Sequence, residues 1–204
     1  MKRTLFSLGV VAALSACSSM HADLPAELVY SLPRDERVTI YDAENDVVIS
    51  RSREDDAKLE MAKLHRDLDE LSDRWDRTKS RLDKAHGDRV SKARDTYDAK
   101  RRYLKESLDV AEAALDTAEV QTEAANARLE LARARQLVRL GLLGQSKVKA
   151  FEDYAEGVEK RAKTADKREV AKRVDSQKSF TAWKDAEDAY ARATGDFDSL
   201  VWVD

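Results

Sequence analysis

The sequence predicts an all-helical, elongated protein: a coiled-coil helical hairpin or a three-helix bundle, with at most one short β-hairpin near its N-terminus. Three observations lead there. Charged residues make up 38% of the 204-residue chain and aromatic residues only 6%, a composition of long helix or coiled coil and not of one compact globule. Both prolines, Pro25 and Pro33, lie before residue 34, and the whole chain has only 6 glycines, so helix breakers are scarce beyond that point. Apolar residues then recur at alternating spacings of 4 and 3, the repeat that keeps one stripe on one helix face and sets a left-handed supercoil.

Residues 1–16 read as an export signal. Lys2 and Arg3 form a positive start, Leu5 to Ala13 is an uncharged apolar stretch, and small residues follow. Leu14, Ser15, Ala16 and Cys17 resemble the lipobox of bacterial lipoproteins, in which an aliphatic residue and two small residues precede a cysteine that becomes the mature N-terminus. The resemblance implies a diacylglycerol thioether on Cys17, usually with a third acyl chain on its amine, and no other cofactor. Cys17 is the sole cysteine, so no disulfide framework exists. The apolar stretch is too short to span a bilayer, which makes the protein anchored and not spanning. Similarity to enteric lipoproteins adds an address: Ser18 stands where an Asp would retain the protein at the inner membrane, so the expected site is the outer membrane, facing the periplasm.

Residues 17–36 hold both prolines and read as a lipidated, extended tether. Over 37–51, Val38-Thr39-Ile40-Tyr41 and Val47-Val48-Ile49-Ser50 flank the turn-prone Asp42 to Asp46, a pattern that fits a β-hairpin or a loosely ordered arm. Helix is expected from Arg53 to residue 86, with Ser52 as cap and acidic Glu54, Asp55 and Asp56 in the first turn. Its seam runs Ala57, Met61, Leu64, Leu68, Leu71, Trp75, Thr78, Leu82 and Ala85. Gly87 is compatible with either a turn or a kink. A turn folds this helix back as the third strand of a bundle. A kink leaves Leu64, Leu68, Leu71 and Trp75 as an oligomerisation seam for a second chain.

Residues 88–197 read as an antiparallel helical hairpin. Leu108, Ala111, Leu115, Ala118, Thr122, Ala125, Leu129 and Ala132 form the seam of one arm, and Val148, Phe151, Ala155, Val158, Ala162 and Ala165 begin the other. Gly141 and Gly144 fall close together and place the tip at 141–145, where Ser146 can cap the returning helix. The stretch from Asp166 to Ser179 has only Val170, Ala171 and Val174 as apolar residues, a weak point in the hairpin. Residues 198–204 form a tail.

At the tip, Arg133, Leu137, Gly141 and Leu143 are similar to the hairpin tip of periplasmic adaptor proteins, also called membrane fusion proteins, of tripartite efflux pumps. That resemblance implies that Arg133 and Leu137 contact an outer-membrane channel. The chain departs from the family pattern at Gly144, where the family has a Ser; Ser146 comes two places late. Paired half-motifs of a lipoyl domain are absent, and too little chain is left for the family's β-barrel. Leu142 and Leu143 have two readings, a partner-docking patch or the hydrophobic contact of a helix cap against Leu137 or Leu140.

Chemistry for catalysis is not visible. The sequence has no Gly-rich phosphate loop, no nucleophile elbow and no zinc-ligand spacing, and His21, His65 and His86 share no ligand spacing. The expectation is therefore a non-enzyme with no metal, no nucleic acid partner and no small-molecule substrate; a net charge of −3 with both signs interspersed agrees. The leading function is a scaffold or spacer of a cell-envelope assembly. The alternatives are an adaptor or accessory of an envelope transport channel that docks through the tip, and a chaperone-like periplasmic arm. Partners would be the membrane, through the lipid, envelope proteins and a further copy of the chain.

Overall fold

A computed structural model describes residues 21–82 and 88–195. The described chain is all-helical: α1 (Ala26–Ser31), α2 (Arg34–Leu82), α3 (Asp88–Arg139) and α4 (Gln145–Thr194). The three long helices have 49, 52 and 50 residues, so each is roughly 75 Å long.

α3 is the central element and packs along its length against α2 on one side and α4 on the other, while α2 and α4 make no comparable interface with each other. Both pairings are antiparallel. Glu36 meets Arg139 and Ser72 meets Tyr97 across α2 and α3, whereas Glu152 meets Arg135 and Ser179 meets Glu106 across α4 and α3. α2 and α3 therefore run in opposite directions along each other, the fold-back arrangement of the two helices. Gly87 itself, read as a turn or a kink, lies outside the described residues.

The expected β-hairpin at 37–51 is corrected to helix, because α2 begins at Arg34 and not at Arg53. The reason is a 3-4 repeat hidden in the β-branched stretch: Ile40, Ala43, Val47 and Ser50 share one face, and Ile40 is only 1% exposed. β-Branched residues lower helix propensity by only a few tenths of a kcal/mol each, on the order of 0.5, whereas burying an Ile or Val side chain contributes about 1.5–3 kcal/mol. Packing overrides propensity. The hydroxyls of Thr39 and Ser50, which could have favoured extended backbone, donate instead to the carbonyls of Asp35 and Asp46 one turn earlier.

The extended tether is corrected as well. Within it, α1 forms a short helix, and Ala22, Leu24 and Leu32 are buried with Ile40 and Val47 of α2, Leu129 and Leu137 of α3 and Phe151 of α4. The N-terminal segment is thus part of the core at the hairpin's tip end. The signal residues, Ser18, Cys17 and the lipobox, together with His86, Ala85, Phe197 and the 198–204 tail, lie outside the described residues.

Between α3 and α4, packing changes character along the rod. Near the tip Ala124 and Ala127 meet Ala155 and Val158, with Val120 and Leu131 beside them; small residues bring the axes together. At the far end Ala93 meets Tyr190, and the Thr96 hydroxyl donates across to the Ala186 carbonyl. In the middle, no residue between Ala162 and Ser179 is buried. Polar pairs join the helices there: Gln121 to Asp166 at 2.9 Å, Lys172 to Asp109 at 2.8 Å and Ser107 to Ser176 at 3.1 Å. Val170 and Val174 face solvent.

Candidate functional site

The seam on α2 is satisfied within the chain. Leu64 and Leu71 are buried against Tyr97, Leu104 and Ala111 of α3, with Met61, Leu68 and Trp75 packed beside them. Trp75 stacks on Tyr97 with ring centroids 4.6 Å apart and planes at 12°. Leu64, Leu68, Leu71 and Trp75, read as an oligomerisation seam left by a kink, pack instead on α3 of the same chain. Sequence reasoning left this helix short of a partner because it assigned α3 one seam. α3 has two, one through Tyr97, Leu104 and Ala111 toward α2 and another through Ala124 and Ala127 toward α4.

The tip closes with a Schellman motif. Gly141, at φ +71, takes the left-handed position; Leu142 N–H donates to the Leu137 carbonyl at 2.8 Å, and Gly141 N–H to the Val138 carbonyl at 3.0 Å. Gly144, not Ser146, occupies the N-cap of α4, without a side-chain bond, so the expected Ser146 cap is also corrected. The two leucines separate. Leu143 packs inward on the cluster containing Leu137, as a cap contact does, while Leu142 is 61% exposed.

Arg133 and Leu137, expected on the docking face, are engaged inside the molecule. Leu137 is buried, and Arg133 donates to Glu44 of α2 at 3.0 Å and to Glu130 at 3.3 Å. The missed signal was the length of α2: its first 19 residues lie over these positions. Glu130 also accepts from the Ala22 amide at 2.6 Å and lies 3.1 Å from the His21 ring, which fastens the N-terminal segment to the same place.

Away from the tip, α2 and α4 diverge over α3 and leave a groove of about 910 Å³. Leu104, Ala111, Ala114 and Ala118 of α3 form its floor, Arg53, Glu60, Asp67 and Arg74 one wall, and Glu169 and Arg173 the other. Trp183 also lines it, with the Lys100 and Lys184 ammonium groups 4.4 and 4.0 Å from its ring centroid. Charges of both signs line it, and the groups with displaced pKa values elsewhere are exposed ion pairs. The hydrogen bond from Lys160 holds Glu156 below the usual carboxylate range, Lys178 does the same to Asp175, and Asp109 raises Lys172.

Among the described residues, no group of three His, Cys, Asp or Glu side chains is placed to hold a metal ion, and no helix is long and apolar enough to cross a membrane. In comparisons with known proteins, no family model, no curated protein and no solved structure matches the chain.

Proposed function

We propose that the protein is a lipid-anchored, non-catalytic scaffold or spacer of the bacterial cell envelope, held at the outer membrane through acylated Cys17. The observation that supports this reading is the rod itself. Three antiparallel helices of nearly equal length give a body roughly 75 Å long whose N-terminal segment is fastened at one end, the design expected of a part that sets a distance. Mixed charge along the rod, the groove over α3 and exposed Val170 and Val174 provide surface for protein contact. The adaptor alternative loses ground, since Arg133 and Leu137, which would touch a channel, are covered by α2.

Photo-cross-linking in living cells from Val174 tests the scaffold. The expected result is one discrete adduct with an envelope protein that disappears in a Cys17→Ala variant released from the membrane. The absence of any adduct at Val174, and at Leu59 on the other flank, contradicts it.

A further inference from the structure

We propose that the hairpin tip is a lipid-contact surface: exposed Leu140 and Leu142, framed by Lys147 and Lys149, rest on anionic phospholipid headgroups, so that the rod stands tip-down on its bilayer. The inference builds on the reading of Cys17 as the anchor and reverses the orientation in which the tip is the distal arm.

The first argument is covalent reach. His21 and Ala22 are fixed at Glu130. Cys17 is four residues earlier, so it lies within about 14 Å of that point. From Glu130 to Gly141 is eleven residues, roughly 16 Å along α3 and comparable with that reach, so the acylated residue can come about level with the tip. The opposite end of α3, at Asp88, is roughly 63 Å from Glu130 and far out of reach. Whatever surface holds the lipid is therefore at the tip end.

The second argument is the chemistry of that end. The turn places Leu140 and Leu142 in solvent although Leu143 alone supplies the inward contact. Between residues 135 and 152 the chain has four cations and one carboxylate; Arg135 is paired with Glu152 and Arg139 with Glu36 of α2, which leaves Lys147 and Lys149 as the positive charge of the turn, in a chain whose net charge is −3. Both lysines are exposed at the start of α4, where the helix dipole disfavours cations and gives no folding reason to place them. Apolar side chains ringed by Lys and Arg are the signature of an interfacial contact with anionic lipid.

A Leu142→Cys variant carries one free thiol when Cys17 is acylated, and takes an environment-sensitive dye; Arg77→Cys labels the far end. Both are reconstituted in vesicles of phosphatidylethanolamine and phosphatidylglycerol containing a headgroup-nitroxide lipid. The expected result is quenching several-fold stronger at 142 than at 77, reduced when Lys147→Glu and Lys149→Glu are added. Equal quenching at the two sites, as for a rod lying flat, or no quenching at 142, as for leucines that serve a protein partner, overturns the proposal. Intact mass of the same sample reports acylation separately. If Cys17 is unmodified the anchored-scaffold reading fails, and the tip is then judged by the same two labels on a Cys17→Ser chain held to nickel-chelating lipid through an N-terminal histidine tag.

Discussion

Replacing Ile40 by Ala tests whether residues 38–50 are helix packed over the tip or a strand pair. Ile40 is 1% exposed, between Leu24, Leu32 and the α3 cluster. The change removes three carbons, about 2.4 kcal/mol at roughly 0.8 kcal/mol per buried methylene, and an incompletely collapsed cavity raises the cost to about 3 kcal/mol. Val47, one heptad away on the same face, should cost about 2 kcal/mol as Val47→Ala. Val48, at 64% exposure, should change by less than about 0.5 kcal/mol. The pattern is diagnostic because a strand would put Val38 and Ile40 on one face, two residues apart, and make them comparably sensitive. Urea unfolding followed by helical circular dichroism measures the midpoints of these variants and of Val38→Ala at constant slope. If Val38→Ala destabilised as much as Ile40→Ala, or Ile40→Ala fell within the noise, the helical register of α2 over the tip would be refuted.

Two glycines should respond with opposite signs. Gly141→Ala, at φ +71, should cost about 1 kcal/mol, and Gly157→Ala, inside α4 with open space at the new Cβ, should gain about 0.5–1 kcal/mol in the same denaturation assay. A double-mutant cycle with Arg133→Ala and Glu44→Ala should return a coupling of about 0.5–1 kcal/mol that weakens in high salt; zero coupling would remove this link between α2 and the tip. Acidification should weaken the pair of Glu156 and Lys160. Because the folded carboxyl titrates below its unfolded value, its contribution is present above the unfolded value and lost as pH falls through the folded one. A Glu156→Gln variant should therefore show a flatter loss of stability on acidification, read as the melting temperature against pH.

Much of the hairpin was legible because its periodicity is strong and its punctuation is local. Val148, Phe151, Ala155, Val158 and Ala162 form the buried face expected of them, and Gly141 and Gly144 mark the turn. Where reading failed, tertiary packing outweighed local preference. The β-branched run at 38–50 has both a two-residue and a 3-4 pattern, and only the apolar surface presented by Leu129, Leu137 and Phe151 selects the second. That surface is assembled from α3 and α4, about 90 to 110 residues away in sequence, so no window around residue 40 contains it. The error then propagated: a helix started at Arg53 leaves the tip uncovered, and Arg133 and Leu137 look free for a partner. The seam at Leu64 and Leu71 failed for a different reason. Alternating apolar spacing says that a helix has a partner but not whether the partner is the same chain. The groove between α2 and α4 had no sequence signal, because it arises from two helices that flank a third and separate away from the tip.

The central claim is a rod fixed to a membrane through Cys17, and the most direct measurement is the intact mass of the protein purified from cell membranes. The account predicts a mature chain that begins at Cys17 and carries the added mass of a diacylglycerol thioether with a further acyl group, in the outer-membrane fraction. A soluble chain of unmodified mass, whether it keeps residues 1–16 or is cut elsewhere, contradicts the account.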